Sequence, residues 1–156
     1  MTQKAFQDYY TEDFSHCYGC GRLNEHGLQI KSFWDGDESV AKFLPSENHI
    51  AIPGYVYGGL IASLIDCHCV GTASAATYKA EGRSMDTEPA LRFVTASLKV
   101  DYLAPTPLGV ELEIRAKVSE VTKKKVIIEA KVIADNKTCA KGYVVSVPMP
   151  KSMGTK

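Results

Sequence analysis

An α+β domain, with one long helix set against an antiparallel sheet of about six strands, is the fold class this sequence predicts. Three observations carry the prediction. Residues 58–79 repeat large apolar side chains at helical spacing, the chain beyond residue 90 alternates apolar and polar residues with a period of two, and two shorter alternating runs precede the helix. Two strands, a helix and four consecutive strands is the order of an α+β fold ending in a meander. The 156 residues suit one domain. We divide the chain into an N-terminal arm (1–27), a single folded domain (28–148) and a loose tail (149–156).

Taken in order, the arm lacks clean periodicity, carries the turn-like cluster Cys17-Tyr18-Gly19-Cys20-Gly21, and has room for one helical turn. A first strand alternates from Leu28 through Ile30 to Trp34, Asp35-Gly36-Asp37 reads as a hairpin turn, and a second strand returns from Val40 to Leu44. A loop punctuated by Pro45 and Pro53 leads to the helix. There Leu60, Ile61, Leu64 and Ile65 form a face that must be buried. Gly59, Ala62, Asp66, Cys69 and Ala73 share a second stripe, and all but Asp66 are small. A small-residue stripe admits another backbone or a ligand, and a carboxylate in its middle is oddly placed for solvation alone. After a loop at 81–90, strands are expected at 97–102, 111–118, 126–134 and 138–147, with Asp135-Asn136-Lys137 as a tight turn. One helix covers one face of such a sheet, so the remaining apolar surface predicts a homo-oligomer.

Charge and composition exclude several functions. Eighteen basic and 18 acidic residues balance to a net charge of zero, which does not suit a phosphate-neutralising surface. The longest basic run, Lys123-Lys124-Lys125, reads as a solvated turn. No run approaches the roughly 18 to 20 consecutive apolar residues of a membrane span. The first residues are polar and acidic, unlike a signal peptide. Five cysteines, two of them inside the predicted helix, do not make a disulfide framework. These features predict a cytoplasmic protein that binds neither nucleic acid nor membrane.

The chemistry concentrates in Pro53-Gly54-Tyr55-Val56-Tyr57-Gly58-Gly59 and the helix that follows to Asp66. A Gly-Gly pair opening a helix leaves backbone N–H groups unpaired and uncovered, at the positive end of the helix dipole. Such a terminus stabilises an oxyanion, and one oxyanion donor is worth roughly 100- to 1000-fold in rate. Asp66 has the chemistry of a general base or nucleophile, but eight residues of helix separate it from Gly58 by about 12 Å. One helix cannot bring both groups to one carbonyl, so a shared site would lie across a subunit boundary. The alternative is that the glycines only permit a tight entry and Asp66 is structural.

This segment resembles the signature of the hotdog-fold acyl-CoA thioesterases, specifically the PaaI-like branch and its THEM-type relatives, whose pattern is approximately P-G-x-x-H-G-G-x-x-x-x-x-x-D. Thr95-Ala96-Ser97-Leu98-Lys99-Val100-Asp101-Tyr102-Leu103-Ala104-Pro105 resembles the family's T-A-x-L-x-V-x-Y-L-x-P, and Cys17-Tyr18-Gly19-Cys20-Gly21 through His26-Gly27-Leu28 resembles its lead-in. The resemblance covers residues from about Phe14 to Val147. It implies a long helix wrapped by a curved antiparallel sheet, assembled as a homodimer or homotetramer with active sites between subunits. It implies an acyl-CoA or related thioester as substrate, cleaved by water without metal or other cofactor. Carried over residue by residue, Asp66 matches the acid that activates water or attacks the carbonyl, Gly58 the glycine whose N–H polarises it, and Thr95 a hydroxyl that orients the water. Tyr57, Gly59, Ser63 and His49 are the candidate substrate-binding neighbours.

Tyr57 stands where the family usually has His. If that His shapes the turn, a tyrosine serves equally. If it transfers a proton, a phenol with an ordinary pKa of about 10 is a poor replacement, and the chain becomes a module that binds an acyl thioester or lipid without cleaving it. His49 in the preceding loop is a possible substitute, or an ordinary loop residue.

Other motifs carry less. Cys17-x-x-Cys20 invites zinc, but a structural site normally needs a second ligand pair. Cys67-His68-Cys69, at successive helical positions, point in different directions and cannot form one. Cys67, Cys69 and Cys139 are expected to behave as small apolar residues, and His68 as a satisfied core histidine. Phe43, Leu44, Tyr55 and Tyr78 are the aromatic and aliphatic residues available to shape a pocket.

Overall fold

The computed structural model describes residues 3–154. Its elements are β1 (Ser32–Asp35), β2 (Glu38–Phe43), the helix α1 (Gly58–Ala80), β3 (Phe93–Tyr102), β4 (Leu112–Val121), β5 (Val126–Ala134) and β6 (Lys137–Pro148), with short 3-10 turns at Phe6–Tyr9, Glu12–Phe14 and Lys151–Met153. The six strands make one antiparallel sheet in the order β1-β2-β4-β5-β6-β3. The helix packs across β4, β5, β3 and β6, so the α+β expectation of one helix on one sheet face holds.

Burial explains this arrangement. Leu60, Ile61, Leu64 and Ile65 are at most 5% exposed and meet Leu112, Ile114, Ile128, Val132 and Val144 from alternate positions of β4, β5 and β6. The outward positions of the same strands carry Glu113, Arg115, Lys117, Glu129, Lys131 and Lys141. That face is a charged ladder in water. The second helix stripe divides: Cys69 and Ala73 are fully buried, whereas Gly59, Ala62 and Asp66 are only half-buried. By length and composition alone α1 is also apolar enough to cross a bilayer, although 67% of its most apolar window is buried inside this domain.

Several elements differ from the sequence expectation. The first strand begins at Ser32 because Gln29 has φ of 54° and the backbone of Leu28 and Ile30 bonds the cysteine loop, at Tyr18 O (2.7 Å) and Gly19 O (3.1 Å). The arm is packed on the body: Ala5, Phe6, Gln7 and Ser15 are buried, and Lys31 pairs with Asp8. Just beyond the last strand Met149 is tied to the domain, its N–H donating to Arg92 O at 2.9 Å. The β5–β6 turn is as expected, Asp135 and Asn136 both having positive φ, which suits the twist of a two-residue hairpin.

A buried polar chain fastens arm, sheet and helix together. Gln7 Nε2 donates to Ser32 Oγ (3.1 Å), Ser32 Oγ lies 2.8 Å from His68 Nδ1, and Ser39 Oγ lies 3.1 Å from His68 Nε2 and 2.6 Å from Thr72 Oγ1. Thr72 Oγ1 in turn donates to the His68 carbonyl at 2.7 Å. His68 is thus a hydrogen-bonded core residue, and burial lowers its pKa to about 4.

Strand β3 is a sheet edge. Leu98, Val100 and Tyr102 pair with Val144, Gly142 and Ala140; the Val144 and Ala140 side chains are buried against the helix and Gly142 lies against Ile65, and residues directly opposite share a face. Yet Leu98 is 38% and Tyr102 53% exposed. An edge of ten residues with apolar side chains on its inner face is a template for another strand.

Candidate active site

Asp66 lies in the third turn of α1, where the helix passes β3. Thr95 Oγ1 donates a hydrogen bond to Asp66 Oδ1. The strand is bulged just beyond, its register shifting between Thr95 and Ser97; a bulge bends a strand and re-aims its side chains. The pair faces a cleft of about 500 Å³ also lined by Phe14, Val70, Leu91, Phe93 and Met149. Its walls are mainly apolar, with one cation, Arg92, stacked 4.5 Å from the Phe14 ring and donating to Thr11 Oγ1 at 3.0 Å.

The helix N-terminus forms a separate place. Among the described residues the N–H groups of Gly58 and Gly59 have no hydrogen-bond partner, and Tyr57 provides no side-chain cap. The Tyr57 ring lies over Gly59 so closely that a Cβ there would be 2.4 Å from it. Tyr57 itself is 58% exposed. Ser63 Oγ donates to Gly59 O at 2.9 Å, within the helix. His49 supports the turn through its backbone, accepting from Tyr57 N–H at 2.9 Å, while its Nδ1 accepts from Ser46 N–H at 3.0 Å. Tyr102 Oη donates to Gly58 O at 2.6 Å. A second cleft, of about 510 Å³, is bounded by Ile52, Tyr55, Gly58, Ile61, Tyr102 and Leu103.

The sequence-predicted residues therefore fall into two groups. Asp66 meets Thr95; Gly58, Gly59, Tyr57, Ser63 and His49 gather at the helix start. Asp66 and Thr95 line one cleft of the chain and Gly58 another. Of the pocket-shaping residues, Tyr55 borders the Gly58 cleft, whereas Tyr78 is a 2%-exposed core residue whose hydroxyl accepts from Leu91 N–H at 2.8 Å.

Sequence reasoning missed what surrounds Asp66. Cys67 does not behave as a buried apolar residue: its thiol meets those of Cys17 and Cys20, all three within 4.8 Å of one another. The partner for the Cys17-Cys20 pair is one helical cysteine, whereas His68 is committed to its serines and Cys69 is buried in the core. Hydrogen bonds from the Cys20 and Cys67 thiols, and from the backbone N–H groups of Cys20 and Gly19, hold the Cys17 thiol down at about 2. Cys20 is pushed up to about 12 by its hydrogen bond to Cys17, burial and nearby negative charge including Asp66, and Cys67 is raised further by its hydrogen bonds to both. Arg92 was also unforeseen, because nothing in its spacing marks it. The Cys17 and Cys20 spacing was the available signal; only the fold supplies Cys67.

Comparison with known proteins agrees with this architecture. The family model of the thioesterase superfamily matches residues 53–141, more than half of the chain. A thioesterase superfamily protein from Shewanella loihica PV-4 is 45% identical, its structure covering 90% of this chain and 100% of its own with a TM-score of 0.69. The PaaI protein of E. coli, from the phenylacetic acid degradation operon, is similar in fold at 18% identity, over 79% of this chain and 81% of its own, with a TM-score of 0.64. Acyl-coenzyme A thioesterase THEM4 of Xenopus laevis is 32% identical over 108 residues, which are 68% of this chain and 43% of that protein. The chain thus spans less than half the length of that curated relative. With one long helix on a six-stranded antiparallel sheet and a family match across the Gly-Gly-to-Asp segment, the chain belongs to the thioesterase superfamily and has its hotdog fold.

Proposed function

We propose that the protein hydrolyses an acyl-CoA, or a related acyl thioester, to the free acid and thiol at a site shared between two copies of the chain. The observation that carries this reading is the division of the candidate residues. Asp66 with Thr95, and the unpaired N–H groups of Gly58 and Gly59, are complementary halves of a hydrolytic centre lying in separate clefts of one protomer. Pairing through the β3 edge would bring one protomer's helix start to its partner's Asp66. The resemblance to an acyl-coenzyme A thioesterase supports the substrate class.

In this reading the thioester oxygen sits against the Gly58 N–H, which stabilises the charge developing on it. Asp66 acts as general base or nucleophile. As base, it takes a proton from water, the hydroxide adds to the carbonyl carbon, and the C–S bond breaks to release thiolate. Thr95 holds one carboxylate oxygen, leaving the other for the water. Tyr57 shapes the entry by laying its ring across Gly59, a role that needs no imidazole. Five free cysteines suit a reducing, cytoplasmic setting.

Two measurements test this. Thiol release is followed with short, medium, long and aromatic acyl-CoAs; turnover of at least one supports the reading. Binding of acyl-CoA without release by any of them would leave the alternative, a non-catalytic acyl thioester or lipid-binding protein marked by Tyr57. The second measurement is solution mass. We expect a dimer or tetramer that Leu98→Glu, a change at an already exposed position, converts to monomer with loss of turnover. A wild-type monomer that is fully active would overturn the shared site.

A further inference from the structure

The geometry points to a zinc site of three thiolates, Cys17, Cys20 and Cys67, whose fourth position opens toward the Asp66 cleft. It is separate from the proposed hydrolysis, whose steps need no metal.

Two distant parts of the chain build it. Cys17 and Cys20 belong to a tight loop closed by Gly21 N–H donating to Cys17 O at 2.8 Å and pinned at Gly19 O by Ile30 N–H at 3.1 Å. Cys67 comes from α1. The three sulfur atoms lie within 4.8 Å of one another, and Cys17 Sγ is 3.7 Å from Cys67 Sγ. For a zinc–sulfur bond of about 2.3 Å, the edge of a tetrahedron is about 3.8 Å. Three converging thiols also fit a metal better than a disulfide, which would leave one of them unpaired.

The surroundings agree. Gly19 leaves open the space the Cys67 sulfur occupies, since a Cβ there would be 2.2 Å from it. Cys17, Cys20 and Cys67 line the same cleft as Asp66 and Thr95. Three protein ligands and a solvent position is the composition of an open zinc site, and thiolates favour soft or borderline cations over magnesium or calcium. On binding, the ligating thiols give up their protons to solvent.

The test uses the full chain, reduced with a phosphine, stripped of metal and titrated with Co²⁺ and then Zn²⁺. We expect one Co²⁺ per chain with thiolate-to-cobalt charge-transfer absorption and tetrahedral visible bands, both erased by Zn²⁺. Cys17→Ser, at an exposed loop position that does not endanger folding, and Cys67→Ser should each lower Zn²⁺ affinity in a chelator competition. The loss should exceed the roughly 10- to 100-fold expected for an outer-shell partner. Cys139→Ser should change nothing. Absence of charge-transfer absorption in reduced wild type, wild-type affinity in Cys17→Ser, or equal loss in Cys139→Ser would each overturn the site. No readout involves turnover, so the acyl-CoA reading stands or falls separately.

Discussion

Asp66→Asn is expected to lower thioester turnover by about 100- to 10,000-fold, the range general-base catalysis supplies, while leaving the fold in place. The structure explains why the two effects separate. Asparagine has the shape of aspartate, and its carbonyl oxygen can still accept from Thr95 Oγ1 in the position of Oδ1. The side chain is only half-buried, so no cavity is made and no buried charge is left unpaired. What disappears is the second carboxylate oxygen, replaced by an amide that can neither take a proton from water nor attack a carbonyl. Thiol-release kinetics with the most active acyl-CoA, alongside a urea denaturation curve, check both halves. A folded Asp66→Asn protein with wild-type turnover would remove Asp66 from the chemistry.

The second large effect is on stability. Between pH 6.5 and about 4 the folded protein is expected to lose about 3 kcal/mol through His68 alone, at roughly 1.4 kcal/mol per pH unit. The sign follows from proton counting. The unfolded chain binds a proton at His68 below about 6.5, whereas the folded protein, which buries the ring, binds it only below about 4. Within that window the unfolded state holds the extra proton, so stability is full above it and falls as pH falls through it.

The hydrogen bonds show why the charge is refused. Thr72 donates to the His68 carbonyl, so its oxygen accepts from Ser39, and Ser39 accepts from His68 Nε2–H. On the other side Gln7 donates to Ser32, which donates to Nδ1. Every group is satisfied with one proton on the ring. A second proton, on Nδ1, would oppose the Ser32 hydroxyl proton already pointing there. Denaturation of wild type and His68→Gln at pH 7 and pH 4.5 isolates this contribution, because the carboxylates titrate in both. The variant should be less stable at pH 7 and lose less between the two values; equal losses would refute the account.

The legible and illegible parts of this protein divide along physical lines. The helix was visible in the spacing of Leu60, Ile61, Leu64 and Ile65, and strands β4 to β6 in their alternation, because each buries one face and its period is local; the expected four-strand meander holds only for β4-β5-β6, since β3 pairs with β6 at the sheet edge and not with β4. The hairpin turn at Asp135-Asn136 was visible for the same reason. Asp66 stood out as a carboxylate among small residues, and Thr95 came from motif resemblance; their hydrogen bond depends on how β3 passes the helix. The first strand was misplaced because the positive φ at Gln29, and the loop that consumes the backbone bonds of Leu28 and Ile30, leave no periodic trace.

By itself, then, the sequence determined the α+β class, the helix and its buried face, and it singled out Asp66 and the Gly58-Gly59 helix start as candidates for the chemistry. Those follow from near-neighbour periodicity and from residue types that are costly to bury without reason. Tertiary structure alone decided that Asp66 meets Thr95, that the arm and Met149 pack against the body, and that Cys67 joins Cys17 and Cys20 across 50 residues of chain. Such contacts are set by how the helix lies on the sheet and where the arm returns. No local spacing encodes them, because the residues that meet share no common period.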